Sequence, residues 1–151
     1  MEKYETVIKK TSLLSAQEVV DIMKERTKIF VVEQKCAYQE VDEKDNNATH
    51  VFFKNGNKIL AYTRIIYNDD KTDISFGRVL VVKKYRNLHF GRKIVETTIE
   101  YINKYYPNQN IKIQAQNYLK PFYESFGFES VSDIYLEDGI PHIDMKKIVN
   151  Y

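Results

Sequence analysis

A short basic loop joins an apolar strand to a long helix in the segment Val79-Leu-Val-Val-Lys-Lys-Tyr-Arg-Asn-Leu-His-Phe-Gly-Arg-Lys93. The β-branched residues of 74–82 predict a largely buried strand. Apolar residues three and four apart predict a helix over 88–106, which Pro107 ends. Free N–H groups at such a helix start favour anions, and arginine suits phosphate geometry. Spacing alone leaves open a simpler interpretation, a strand-to-helix turn whose basic residues only confer solubility.

Local signals outside this segment predict the remaining elements. A capping box at Ser15-Ala-Gln-Glu18 begins a helix over 16–32, and a polar loop follows over 34–47. Asn55-Gly56-Asn57 and Asp138-Gly139 predict hairpin turns, and 68–73 predicts another turn. The other predicted elements are strands 4–10, 50–54, 58–67, 111–115, 129–135 and 140–148, and a short helix over 118–126 that Gly127 caps. The order β-α-β-β-β-α-β-α-β-β predicts one α/β domain over 1–151, a mixed sheet with helices on its faces.

Composition excludes several classes of protein. The chain has 151 residues, 23 Lys and Arg against 21 Asp and Glu, and one cysteine, Cys36, so no intrachain disulfide framework is expected. Its three histidines lie far apart, which predicts no metal site. Apolar runs are far shorter than a membrane helix requires, and the N-terminal residues do not read as a secretion signal, so we expect no membrane partner and a cytoplasmic location. A homodimer is compatible with these features.

Charge is segregated along the chain although the net charge is only +2. Residues 74–95 contain six basic residues and no acid, whereas residues 121–145 contain six acids and no Lys or Arg. Residues 33–45 contain five acids against two lysines. This pattern predicts an anion site in the middle of the chain beside a surface that accepts cations, with solvated faces as the alternative. The basic stretch is short and lacks aromatic interleaving at a stacking spacing, so we expect no nucleic-acid partner.

The segment Phe122-Tyr-Glu-Ser-Phe-Gly-Phe128 adds an aromatic helix directly after a predicted strand. Together with the basic strand-loop-helix turn, it resembles the GNAT superfamily of acyl-CoA-dependent N-acetyltransferases. Four further segments resemble its ElaA-like branch: Phe30-Val-Val-Glu-Gln-Lys-Cys-Ala-Tyr-Gln-Glu-Val-Asp-Glu-Lys-Asp45, Gly77-Arg-Val-Leu-Val81, Ala115-Gln116 and Glu137-Asp-Gly-Ile-Pro-His142. The resemblance implies a twisted, mostly antiparallel sheet of about seven strands flanked by helices.

The resemblance also implies a binding site for acetyl-CoA as co-substrate, with no metal. Backbone groups of Val79, Leu80 and Val81 would face the pantetheine arm, and Gln116 would bond to the co-substrate or the adjacent loop. The pyrophosphate would lie on Arg86, Asn87, Leu88, His89, Phe90, Gly91 and Arg92. His89 stands where the family pattern has glycine. If that position requires positive φ, the replacement costs roughly 1–2 kcal/mol but keeps the backbone donor.

The resemblance implies direct acetyl transfer to a primary amine, of a small molecule or a peptide, with Tyr123 as general acid toward the departing thiolate. Taken alone, Tyr123 is typical of a core tyrosine. The candidate general bases are His142 and, ranked just below it, Glu40, with Glu33, Asp42 and His50 also considered. Cys36 is interpreted as a packing residue, because its acidic surroundings disfavour a thiolate. The acidic stretches suggest a cationic acceptor, such as a polyamine, an aminoglycoside-like amine or a lysine side chain. The alternative function is a non-catalytic acyl-CoA-binding or regulatory module of the same fold.

Overall fold

The computed structural model describes residues 3–68 and 72–149, which form a mixed α/β fold around one sheet. The predicted turn at 68–73 falls partly on residues 69–71, which lie outside the described residues. Every strand pairing is antiparallel except that of β4 with β5, and the order is β1-β2-β3-β4-β5-β8-β6, with β7 paired to β8. The strands are β1 Glu5–Lys10, β2 Thr49–Asn55, β3 Lys58–Tyr67, β4 Ile74–Val81, β5 Ile111–Gln116, β6 Glu129–Ser130, β7 Tyr135–Glu137 and β8 Ile140–Lys147. The predicted fold class is confirmed.

Three α-helices flank the sheet: α1 Ala16–Arg26, α2 Phe90–Tyr105 and α3 Lys120–Glu124. The capping box is present, with the Ser15 hydroxyl accepting from Glu18 N–H and the Glu18 carboxylate accepting from Ser15 N–H. The predicted helix over 16–32 continues past α1 as a π-helical segment, Thr27–Glu33. Among the described residues, no helix combines the length and apolar character needed to cross a membrane.

The prediction of one strand over 129–135 is wrong, because that stretch holds β6 and the first residue of β7 with an irregular connection between them. The Ser132 hydroxyl accepts from Asp144 N–H at 2.9 Å, so a side chain takes the place of a ladder bond. Val131 N–H donates to Asp144 O at 2.9 Å, which still holds the connection against β8. Over the described residues, the sheet therefore has eight strands rather than about seven.

A cleft opens in the middle of the sheet because β4 and β5 are paired only at Ile74 and Ile111. Toward their carboxyl ends the two strands bond to other neighbours, β3 and β8. A bulge in β4 places Arg78 at φ 51°, and the pairing with β3 shifts register there. Bulges bend a strand and redirect its side chains, and they occur often beside active sites.

The two faces of the sheet are covered differently. On one face, α2 buries Ile94, Val95 and Ile102 against the apolar residues of β2 to β5. On the other face, α1 and the π-helical segment bury Ile22, Phe30 and neighbouring residues of β2 and β3. The α1 side leaves β5 and β8 without a helix over them, since no residue of either strand belongs to its apolar cluster. The polar residues of this uncovered face are therefore available to a site.

A buried polar network lies under α1 and is centred on Arg26, whose side chain is fully buried. Its guanidinium donates to Glu40 Oε2 at 2.9 Å and to both carboxylate oxygens of Asp45, at 2.7 and 3.0 Å. Arg78 Nε lies 2.6 Å from Glu40 Oε1. Arg26 and Arg78 also donate to Glu40 O, so together they hold the loop after the π-helical segment against β4.

We expect the free energy of unfolding to fall between pH 6.5 and pH 4, because His50 is buried in this network. Burial lowers the pKa of His50 from 6.5 to about 4. In that window the unfolded chain binds a proton that the folded chain does not, so acidification favours unfolding by roughly 3 kcal/mol. Urea unfolding at stepped pH measures this slope. The His50→Gln variant, which cannot titrate, should show a much flatter profile, and a flat profile in the native protein would contradict the expectation.

Candidate active site

The cleft between β4 and β5 is the mouth of a cavity of about 830 Å³. Its size is within the range of small-molecule sites. Eight of the residues that the sequence analysis considered for the site line it: Asp42, Val79, Leu80, Val81, Gly91, Gln116, Tyr123 and His142. The Gln116 side-chain amide lies 3.4 Å from Gln34 Oε1, which connects β5 to the end of the π-helical segment. The cavity therefore collects residues from both halves of the chain.

The basic loop reaches the start of α2 in a strained backbone conformation. His89, the N-cap residue, lies at φ 64° and ψ 17°, and its side chain makes no capping hydrogen bond. Asn87 also has positive φ, at 67°. The first N–H groups of a helix have no partner within the helix, so those of α2 remain available to an anion. The left-handed conformation anticipated for the glycine position of the family pattern is present in this chain on a histidine.

The side chains of this loop are divided between several environments. Arg86 Nε donates to Val81 O at 3.0 Å, and its Nη2 donates to Glu33 Oε2 at 2.8 Å. Arg92 donates to Ser125 Oγ at 2.6 Å and lies over the Phe126 ring. The Phe90 side chain is buried in the core, whereas Leu88 is exposed. A phosphate at this loop would therefore meet backbone donors first, and Arg86 would have to exchange Glu33 for it.

We expect His89→Gly to stabilise the fold by up to about 1 kcal/mol, since the left-handed conformation costs a non-glycine residue roughly 1–2 kcal/mol and glycine loses about 0.5–1 kcal/mol in chain entropy. Thermal unfolding measures the change. Asn87→Gly is the matched control. It should raise the unfolding midpoint less, because asparagine tolerates positive φ better than most residues. A lower midpoint for His89→Gly would show that the imidazole makes a stabilising contact.

Tyr123, in α3, presents a buried phenol to the cavity, with 5% of its surface exposed. The rings of Phe76, Phe122 and Phe128 pack around it. Burial raises the pKa of Tyr123, so the phenol stays protonated across the neutral range. Among the residues that the structure describes, its hydroxyl has no hydrogen-bond partner, which leaves the proton free for a bound group.

His142, in β8, has a fixed tautomer. Its Nδ1 lies 2.7 Å from Ile140 O, and a carbonyl oxygen only accepts, so Nδ1 carries the hydrogen and Nε2 has the lone pair. Glu137 Oε2 lies 3.8 Å from Nε2 and can pair with the imidazolium once it forms. His142 is the register partner of Gln116 across β5 and β8, which directs it to the cavity. It therefore has the chemistry of a base.

The other acid and base candidates lie in different environments. Glu40 is 4% exposed and lies between the guanidinium groups of Arg26 and Arg78, which favours a structural role for it. Asp42 lines the cavity but pairs with Arg64 at 2.8 Å. His50 is fully buried, between the Thr11 and Tyr62 hydroxyls. Within 3–68 and 72–149, no group of three or more His, Cys, Asp or Glu is arranged to hold a metal ion.

The cavity lining also includes residues that the sequence did not single out, among them Gln34, Arg78 and Asp144. Arg78 acquires its position from the bulge in β4, and Gln34 from the π-helical segment that precedes it. Asp144 follows His142 by two residues on β8, so the alternation of strand side chains was the one signal that could have found it. Cys36 also lines the cavity, with Sγ 3.6 Å from Asp138 O.

Comparisons with known proteins agree with this geometry. The family model described as an acetyltransferase (GNAT) domain matches residues 12–149. A UPF0039 protein of Schizosaccharomyces pombe is 40% identical over 97% of this chain and 98% of its own length. ElaA of Escherichia coli is 36% identical over 91% of this chain and 92% of its own, and its crystal structure superposes with a TM-score of 0.89. An acyl-CoA N-acyltransferase of Pseudomonas aeruginosa superposes with a TM-score of 0.91 at 30% identity, over 96% of this chain and 99% of its own.

Proposed function

The chain belongs to the GNAT acetyltransferase family, and on that premise we propose that it transfers an acetyl group directly from acetyl-CoA to a primary amine of a small molecule or peptide. The observation that carries the proposal is the cavity between β4 and β5, which Tyr123 and His142 line together with Gly91 at the start of α2. In this proposal the start of α2 binds an anion, Tyr123 donates a proton and His142 accepts one, all at the same cavity. GNAT acyltransferases use an acyl-CoA as co-substrate.

The residues at the co-substrate end fit a pyrophosphate and a pantetheine arm. The uncapped start of α2 offers N–H groups and the positive end of a helix dipole. The edge of β4 next to the cleft is not paired with β5 beyond Ile74, so Val79, Leu80 and Val81 can bond to an extended arm there. We propose that Arg86 leaves Glu33 when a phosphate arrives, because a doubly charged group competes well with one carboxylate.

The proposed mechanism needs three proton transfers. His142 Nε2 takes a proton from the acceptor ammonium, which frees a lone pair on nitrogen to attack the thioester carbon. As the C–S bond breaks, the Tyr123 hydroxyl donates to the sulfur. Burial holds the pKa of that phenol above its ordinary value, so Tyr123 is in the protonated form that this step requires. The second proton of the amine restores the phenol.

The test is thiol release from acetyl-CoA across a panel of primary amines and lysine peptides. Release above the amine-free background, with the N-acetyl product seen by mass spectrometry, is the expected result. CoA should also raise the thermal midpoint, since a ligand at about 100 times its dissociation constant stabilises a protein by about 2.7 kcal/mol. A shift without turnover would favour a non-catalytic acyl-CoA-binding module, and His89 in the phosphate loop is the feature consistent with that outcome. An unchanged thermal midpoint in the presence of CoA would contradict both functions.

A further inference from the structure

Asp144 and His142 lie on the same face of β8, two residues apart, and both line the cavity. Residues at i and i+2 of a strand are separated by roughly 7 Å, so the ends of the two side chains can approach one small group. Their register partners in β5 are Gln114 and Gln116, which line the cavity as well. The base candidate thus has a carboxylate beside it on the uncovered face of the sheet.

Tyr135 of β7 connects the two side chains. Its hydroxyl donates to Asp144 Oδ1 at 2.6 Å, and its ring stacks on the His142 imidazole with centroids 6.1 Å apart and planes at 26°. The backbone of Asp144 is fixed as well, because Ser132 and Val131 bond to its N–H and carbonyl. Asp144 is therefore held in place from both its backbone and its side chain.

The charge of Asp144 has no cation to balance it among the described residues, where it forms no ion pair. Its Oδ2 also receives no hydrogen bond from them. Asp42 also lines the cavity, but it pairs with Arg64 and Arg78. Lys112 lines the cavity from β5, but its register partner is Lys146 and it makes no ion pair with Asp144. A carboxylate oxygen next to His142 is thus left for a ligand that is a cation.

We propose that Asp144 is the specificity-determining residue that receives the acceptor amine as its ammonium ion, an inference that rests on the proposed N-acetyltransferase function. Asp144 Oδ2 accepts one N–H of the R–NH₃⁺ group, and His142 Nε2 accepts another. The proton then moves from nitrogen to Nε2, which gives R–NH₂ and an imidazolium that Glu137 can pair with. The amine attacks the thioester carbon, the Tyr123 hydroxyl donates its proton to the sulfur as the C–S bond breaks, and the second amine proton restores the phenol. The overall products are the N-acetylamine, CoA thiol and one proton.

The test compares steady-state acetyl transfer to n-butylamine by the native chain, Asp144→Asn and His142→Gln. Asparagine keeps the shape of the side chain and the acceptor for Tyr135, but it removes the charge. We expect Asp144→Asn to raise KM for n-butylamine by about 10- to 100-fold, the range for losing a hydrogen bond to a charged group, with KM for acetyl-CoA unchanged. His142→Gln should mainly lower kcat. Asp133→Asn, at an exposed acid outside the cavity lining, is the matched control and should behave like the native chain.

A second measurement separates failure of this inference from failure of the proposed function. Backbone amide shifts of the CoA-bound protein are followed by NMR as n-butylammonium chloride is added. Shifts in β7 and β8 of the native chain that Asp144→Asn abolishes would support the ammonium site even if no transfer occurs, in which case only the proposed function fails. Absence of those shifts in the native chain, or an unchanged KM in Asp144→Asn while the native chain turns over, would overturn the inference.

Discussion

Tyr123→Phe is expected to lower kcat for acetyl transfer by about 100-fold or more, the lower end of what a positioned proton donor contributes. A free thiol has a pKa of about 8.5, and an ordinary phenol about 10. Burial raises the pKa of Tyr123, which keeps the phenol protonated at neutral pH. Its contribution arises as charge accumulates on sulfur during C–S cleavage.

The phenylalanine variant keeps the ring contacts of Tyr123 with Phe76, Phe122 and Phe128, so the fold and CoA affinity should be retained. Thermal shift with CoA verifies this separately from turnover. Tyr105→Phe, at an exposed tyrosine of α2, is the matched control and should leave kcat at the native value. Equal rates in native and Tyr123→Phe proteins would remove Tyr123 from the mechanism.

Arg26→Met is expected to lower the free energy of unfolding by about 3 kcal/mol, since removing one partner of a buried ion pair leaves the other charge uncompensated. Asp45 and Glu40 would lose the guanidinium while remaining buried. Although burial favours the neutral acid, the bonds and charge of Arg26 and Arg64 hold the pKa of Asp45 down at about 2. For a chain of this size, the loss corresponds to a fall of about 6–12 °C in the unfolding midpoint.

Arg86→Met is the matched control, because its ion pair with Glu33 is solvent-exposed and should contribute less than about 1 kcal/mol. If Arg26→Met does not yield folded protein, Asp45→Asn tests the same network with a side chain of nearly the same shape. A midpoint close to the native value in both variants would contradict a stabilising role for the network. Activity should fall together with stability in Arg26→Met, since Arg26 holds the loop that bears Tyr38 and Asp42 at the cavity.

Local backbone rules account for the parts of the fold that the sequence predicted well. The capping box at Ser15, the Asn55-Gly56 turn and the periodicity of α2 each depend on residues within one turn of chain. The strand over 129–135 was predicted from the same kind of rule and was wrong. The Ser132 hydroxyl takes the hydrogen bond of Asp144 N–H, which lies twelve residues away. A rule that considers only neighbouring residues cannot predict this contact.

The sequence by itself determined the order of elements, the basic turn into α2 and the aromatic segment that carries Tyr123, because these properties belong to contiguous residues. Only the tertiary structure decided what the acidic stretches do. Glu40 and Asp45 are paired with buried arginines distant in the chain, whereas Asp144, beside His142, forms no ion pair with the residues that the structure describes. The reason is physical: whether a carboxylate stabilises the fold or meets a ligand depends on which cation lies within a few ångströms, and the packing of distant segments sets that distance.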